Sequence, residues 1–234
     1  MFDLPIYLSD MAVRMGIVLV GVMLCVSVHE FSRAMMAIHL GDNLAAILKR
    51  NTLNPVMHIH IISTLALPAG LVLLAMITGS QNVPFVAMGL TVVHNPLNFK
   101  HYFWGRDLST RQAQWLIAVS GPIGNSLFAL LCWVSAGLLV KMQWFHFYTY
   151  SPADALMHLV YLNVTLVIFN MLPIFPLDGA FIWPQFFSNR TLTRFFIIRP
   201  WISVTLTAVL ILGGGSWIAL LARRITHQML AVFT

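Results

Sequence analysis

An uninterrupted apolar run over residues 16–28 leads straight into His29-Glu30-Phe31-Ser32-Arg33, and apolar character resumes over 34–40. The run and its continuation are long enough for one membrane-crossing helix. A charged side chain at the middle of such a helix costs about 2.5–3.5 kcal/mol. Glu30 is the only glutamate in the chain, and it lies beside a histidine and one turn from an arginine. Groups placed at that cost usually have a partner and a task. The rest of the sequence is best read around this stretch.

Histidines at i and i+4 of a helix share a face. In H-E-x-x-H they bind zinc while the glutamate acts as general base. Here the second histidine position is Arg33. A guanidinium stays protonated and offers no lone pair to a metal. Among other donors, Cys25 lies four residues before His29 and so shares its face. His58 and His94 lie in segments able to fold back toward it. These three are the candidate replacement ligands.

The chain is 59% hydrophobic and 9% charged, where a soluble domain averages about 25% charged. It is therefore read as a membrane protein. The net charge is +6, but the basic residues form no patch interleaved with aromatics, which argues against nucleic-acid binding. Cys25 and Cys132 both sit in apolar stretches, so no disulfide framework is expected. Acidic residues precede the first run and no small-x-small site follows it, so a cleaved signal peptide is not read there. The two halves of the chain show no repeat of the kind many transporters carry.

In order, the sequence predicts a helix over 11–40 with Asp10 as its N-cap, stopped at Gly41-Asp42. A basic connection over 43–60 and a short apolar segment over 61–78 follow. Residues 79–98 read as an extended hairpin or loop at membrane depth, and 99–111 as a polar connection. Spans follow at 112–140, kinked at Gly121-Pro122, and at 155–172. An arginine-bearing connection is expected over 187–200 and a last span over 201–221. The fold class is thus an all-α polytopic membrane protein of about five or six membrane segments, forming one domain over 1–234. The connections 41–60, 97–111 and 187–200 together carry eight Lys and Arg. The positive-inside rule assigns them to the cytoplasm. Segment 61–98 must then enter and return on that side, and His29 and Asp178 both fall toward it.

Three stretches together resemble the site-2 protease family of intramembrane zinc metalloproteases, in its compact prokaryotic form. The first is His29-Glu30-x-x-Arg33, followed by Leu40-Gly41-Asp42 and Thr52-Leu53-Asn54-Pro55-x-x-His58. The second is Asn95-Pro96-x-Asn98-Phe99, then Gly121-Pro122-x-x-Asn125. The third is Phe169-Asn170-x-Leu172-Pro173-x-x-Pro176-Leu177-Asp178-Gly179. They cover a core of roughly 15–185 in the family's order.

The resemblance implies His29 and Asp178 as zinc ligands and Glu30 as the base that activates the bound water. Asn125 and Asn170 match polar positions near the site. The substrate would be a partly unwound transmembrane helix of another protein, and the location a prokaryotic plasma membrane. Arg33 removes a ligand and adds a positive charge where the cation would sit. It is also a natural counter-ion for Asp178 or Glu30, by a forked pair. The expected function is therefore an impaired or inactive relative, a pseudoprotease that still binds partner transmembrane helices. The alternative is an active zinc endopeptidase with a non-standard third ligand. A transporter or channel stands third.

Overall fold

The computed structural model describes residues 8–58, 95–99, 102–103, 105–142, 151–210 and 216–233, with a few isolated positions between 66 and 77. Helix α1 (Leu8–His39) is followed by a single turn, α2 (Leu44–Ile47), and a 3-10 turn, Pro55–His58. A second 3-10 turn, Pro96–Asn98, leads to a hairpin of two-residue strands, β1 (Tyr102–Phe103) and β2 (Arg106–Asp107), with Tyr102 opposite Asp107. Then come α3 (Thr110–Lys141), α4 (Pro152–Asn170), the short α5 (Gly179–Ile182), α6 (Asn189–Val209) and α7 (Ser216–Leu230). The chain is predominantly α-helical. Gly16–His39 of α1, α3, α4 and α6 are each long and apolar enough to cross a membrane, which marks a membrane protein.

Periodicity decides how α1 packs. Its buried residues include 21, 22, 25, 26, 27, 29, 30, 33, 34 and 37, mostly at the three-and-four spacing of one helix face. His29, Glu30 and Arg33 lie in that stripe and so turn inward, among Val26, Ala34 and Ala37. Helix α3 packs against both α1 and α4. Its inner row is built of Ala113, Ile117, Gly121, Asn125 and Ala129, mostly small residues at four-residue spacing that let helices approach closely in an apolar solvent. Its outer row, including Ile123, Leu127, Leu131 and Leu138, is exposed, as a lipid-facing surface would be.

Capping fixes where α3 and α4 begin. Ser109 with Gln112, and Ser151 with Asp154, each form a reciprocal capping box. Helix α7 runs back along α4. Ile218 clusters with Phe169, Ile174 and Leu177 near one end, and Met229 and Leu230 pack against Met157 and Val160 near the other. The Trp133 indole N–H donates to the Met229 carbonyl at 2.7 Å.

Several sequence expectations change. Helix α1 is already formed at Leu8, so Asp10 is within it rather than capping it. The expected span over 112–140 stands, with Pro122 inside α3. The expected connection over 187–200 is instead helical from Asn189, because Ser188 caps the helix and arginine is a good helix former. Pro200 is absorbed within α6 and does not start a new span. The expected span over 201–221 is accordingly divided between α6, ending at Val209, and α7, starting at Ser216. Four candidate spans stand among the described residues. The 61–78 segment lies almost wholly outside those residues, as does 79–94 of the expected hairpin.

The flanks of that stretch are well defined. Asp42, fully buried, accepts hydrogen bonds from the Leu44 backbone N–H (3.1 Å), the Asn95 backbone N–H (2.6 Å) and the Asn98 side-chain amide (3.1 Å). The turn at 55–58 packs on α1. Asn95 and Asn98 are tied to Asp42, just beyond the C-terminal end of α1. A charge-assisted hydrogen bond is worth about 1.5–3 kcal/mol, and Asp42 anchors two segments at once. Asp42→Ala is expected to lower stability by about 3 kcal/mol, with Asp42→Asn intermediate. Equilibrium unfolding in detergent measures this, and an unchanged midpoint for Asp42→Ala would contradict the anchoring role.

Candidate functional site

The site is made by α1, α3 and the connection between α4 and α5. Helix α4 stops at Asn170, just before Pro173, as expected of proline. The connection turns back on itself. The Leu177 N–H donates to the Ile174 carbonyl at 2.7 Å, and the Trp183 indole N–H holds the Met171 carbonyl at 2.6 Å. Gly179 sits directly against the Met171 and Leu172 carbonyls, where a Cβ would collide with backbone. Glycine there lets the loop close and sets Asp178 against α1.

Asp178 is the centre of the cluster. Its Oδ2 lies 2.9 Å from His29 Nε2, and its Oδ1 lies 3.1 Å from Arg33 Nη1. The same Arg33 nitrogen is 4.0 Å from Glu30 Oε1. Arg33 is 4% exposed, so it pairs inside the protein and does not snorkel to the interface. Its Nε has no hydrogen-bond partner among the described residues. Burial alone would raise the Asp178 pKa, but the Arg33 and His29 charges outweigh it and hold the carboxyl below the ordinary carboxylate range.

Helix α3 supplies the other wall. A Cβ on Gly121 would lie 2.6 Å from His29 Nε2, and one on Gly124 would strike Ser32 Oγ. Gly121 thus opens the notch that admits the His29 ring, and Gly124 the one that admits Ser32. Asn125, fully buried, directs its amide nitrogen at His29 Nδ1 over a long 3.5 Å contact. Asn125 Oδ1 has no partner among the described residues. The motif at 121–125 was read as a kink with a polar residue beside it. Its further role as a notch depends on which helix faces it.

The remaining sequence candidates are placed elsewhere. Asn170 donates to the Leu166 carbonyl of its own helix at 3.0 Å. Cys25 Sγ accepts from the Asn163 amide at 3.1 Å, in an apolar cluster with Val22, Val26 and Leu162. Asn163 had not been singled out from the sequence. His58 Nε2 bonds the Thr52 carbonyl at 2.7 Å. His94 lies outside the described residues.

A zinc ion needs three protein ligands and an open position, with ligand atoms about 3.3 Å apart in a tetrahedron. His29 Nε2 and Asp178 Oδ2 supply two donors, in direct contact with each other. The second carboxylate oxygen is taken by a guanidinium. Among the described residues, no three His, Cys, Asp or Glu side chains converge to hold a metal. The donors among the described residues do not make up a catalytic zinc site. What they do provide is a buried Arg33–Asp178 ion pair with a histidine nitrogen in contact with the same acid.

Comparison with protein-family models, curated proteins and solved structures yields no match to this chain.

Removing one partner of a buried pair strands the other charge, typically at a cost of 3–5 kcal/mol. Arg33→Ala is expected to destabilise by about that amount, and adding Asp178→Asn to recover most of it. Denaturant unfolding of the two variants and the double variant measures the coupling. Additive losses would mean that the two side chains do not depend on each other.

Proposed function

We propose that the chain is a site-2-protease-like membrane protein in which an ion pair has taken the place of the catalytic metal. In this reading it engages transmembrane helices of other proteins without cutting them. The observation that carries it is the shared hold on Asp178, with His29 at 2.9 Å and Arg33 at 3.1 Å. His29 and Asp178 are the residues proposed as metal ligands on the resemblance. Arg33 stands at the third ligand position and supplies a fixed positive charge there. Such a guanidinium neutralises the carboxylate and keeps α1 joined to the connection before α5, but it cannot acidify a water molecule.

Glu30 is one turn from Arg33 and 4.0 Å from its nitrogen. In the proposed site it has no metal-bound water to activate. The partner class follows from the same proposal, since the site of this family receives a transmembrane helix. The proposed location is a prokaryotic plasma membrane, with the site toward the cytoplasmic side.

The test is zinc content of the purified protein beside an Arg33→His variant. The unaltered chain is expected to carry essentially no zinc, and the variant to take up about one ion per chain. Near-stoichiometric zinc in the unaltered chain would overturn the proposal in favour of an active endopeptidase. Cleavage of a reporter helix, abolished by Glu30→Gln, would then be the expected companion result.

A further inference from the structure

Helix α6 carries a second kind of chemistry, independent of the Asp178 cluster. Its residues divide cleanly around the helix. Phe195, Arg199, Ile202, Ser203, Leu206 and Leu210 are buried or half-buried. Ser203 Oγ accepts the Phe175 backbone N–H at 2.8 Å, and Leu206 and Leu210 join the cluster around Phe169. Arg199 belongs to this side, with its guanidinium 4.7 Å from the Phe175 ring centre and 5.3 Å from that of Phe196.

The opposite stripe is outward along its whole length. At 100° per residue, Arg190, Arg194, Ile197, Trp201 and Val204 line up within one quarter of the helix circumference. Ile197, Trp201 and Val204 are 69, 75 and 65% exposed, and both arginines are exposed. No carboxylate among the described residues forms a salt bridge with Arg190 or Arg194, and the first turn of α6 contains no acid. Two cations one turn apart thus begin a stripe that then turns apolar and aromatic for about 10 Å, within the depth of one bilayer leaflet.

We infer that this stripe is a binding surface for an anionic phospholipid. Its phosphate would lie between Arg190 and Arg194, and its acyl chain along Ile197, Trp201 and Val204. Charge decides the occupant. The basic pair attracts an anionic headgroup, and the order of cations followed by apolar side chains matches headgroup followed by chain. Arginine stems can cover apolar surface while their heads remain at the phosphate level. The positive end of the α6 dipole adds to the attraction at Arg190.

The experiment uses the full chain, delipidated in detergent and titrated in native mass spectrometry. The probes are phosphatidylglycerol and phosphatidylcholine with identical acyl chains. Each arginine near a headgroup is worth about fivefold in affinity. The unaltered chain is therefore expected to prefer phosphatidylglycerol by at least tenfold. Arg190→Gln/Arg194→Gln should bring the preference close to one, and Arg190→Lys/Arg194→Lys should keep most of it. Lys141→Gln/Arg224→Gln removes the same net charge elsewhere and should leave it intact. Equal binding of the two lipids by the unaltered chain would overturn the assignment. So would an equal loss in the Lys141→Gln/Arg224→Gln control. A change confined to the monomer–dimer distribution of Arg190→Gln/Arg194→Gln would also overturn it, and would make the stripe an interface between copies.

Discussion

Neutralising Asp178 is the constraint around which the centre of this molecule is arranged. An isolated carboxylate in an apolar bundle is very costly unless it is paired and hydrogen-bonded. Asp178 is paired with two side chains of one helix, His29 and Arg33. Those residues are four apart, so both reach inward from the same face of α1. The pair thereby joins α1 to a connection roughly 150 residues later and sets the register in which α1, α3 and the end of α4 meet. Buried ion pairs are weak sources of net stability, and their best-attested use is to specify one arrangement over others. That fits a bundle whose other contacts are made largely by interchangeable apolar side chains.

Close packing supports the pair from the other side. Gly121 and Gly124 open α3 just where the His29 ring and Ser32 press against it. Gly179 performs the same service for the connection, which must touch the end of α4 before Asp178 can point at α1. In a membrane, where apolar burial does not favour helix–helix contact over helix–lipid contact, such small-residue notches carry much of the association. The cluster is therefore as much a product of missing side chains as of charged ones.

Much of this was legible in the residues. The inward stripe of α1, the stop of α4 before Pro173 and the placement of an acid beside Gly179 all follow from local rules of periodicity and proline geometry. The limits are equally physical. Arginines 190, 194 and 199 looked like a connection because a run of basic residues usually marks one in a membrane chain, whereas capping and helix propensity drew them into α6. Cys25 looked like a possible fourth member of the site because it shares a face with His29. The opposing helix offered it Asn163 instead, and no sequence rule links positions 138 residues apart.

By itself, the sequence determined that this is a membrane protein and that His29 and Arg33 share one face of a membrane-long helix. A helix period and the expense of charge in an apolar segment are local facts. Only the tertiary structure decided which acid Arg33 neutralises, which glycine admits His29, and that Cys25 and His58 take their hydrogen bonds elsewhere. Those outcomes depend on which faces meet when helices from distant parts of the chain pack, and a partner is chosen by proximity in space.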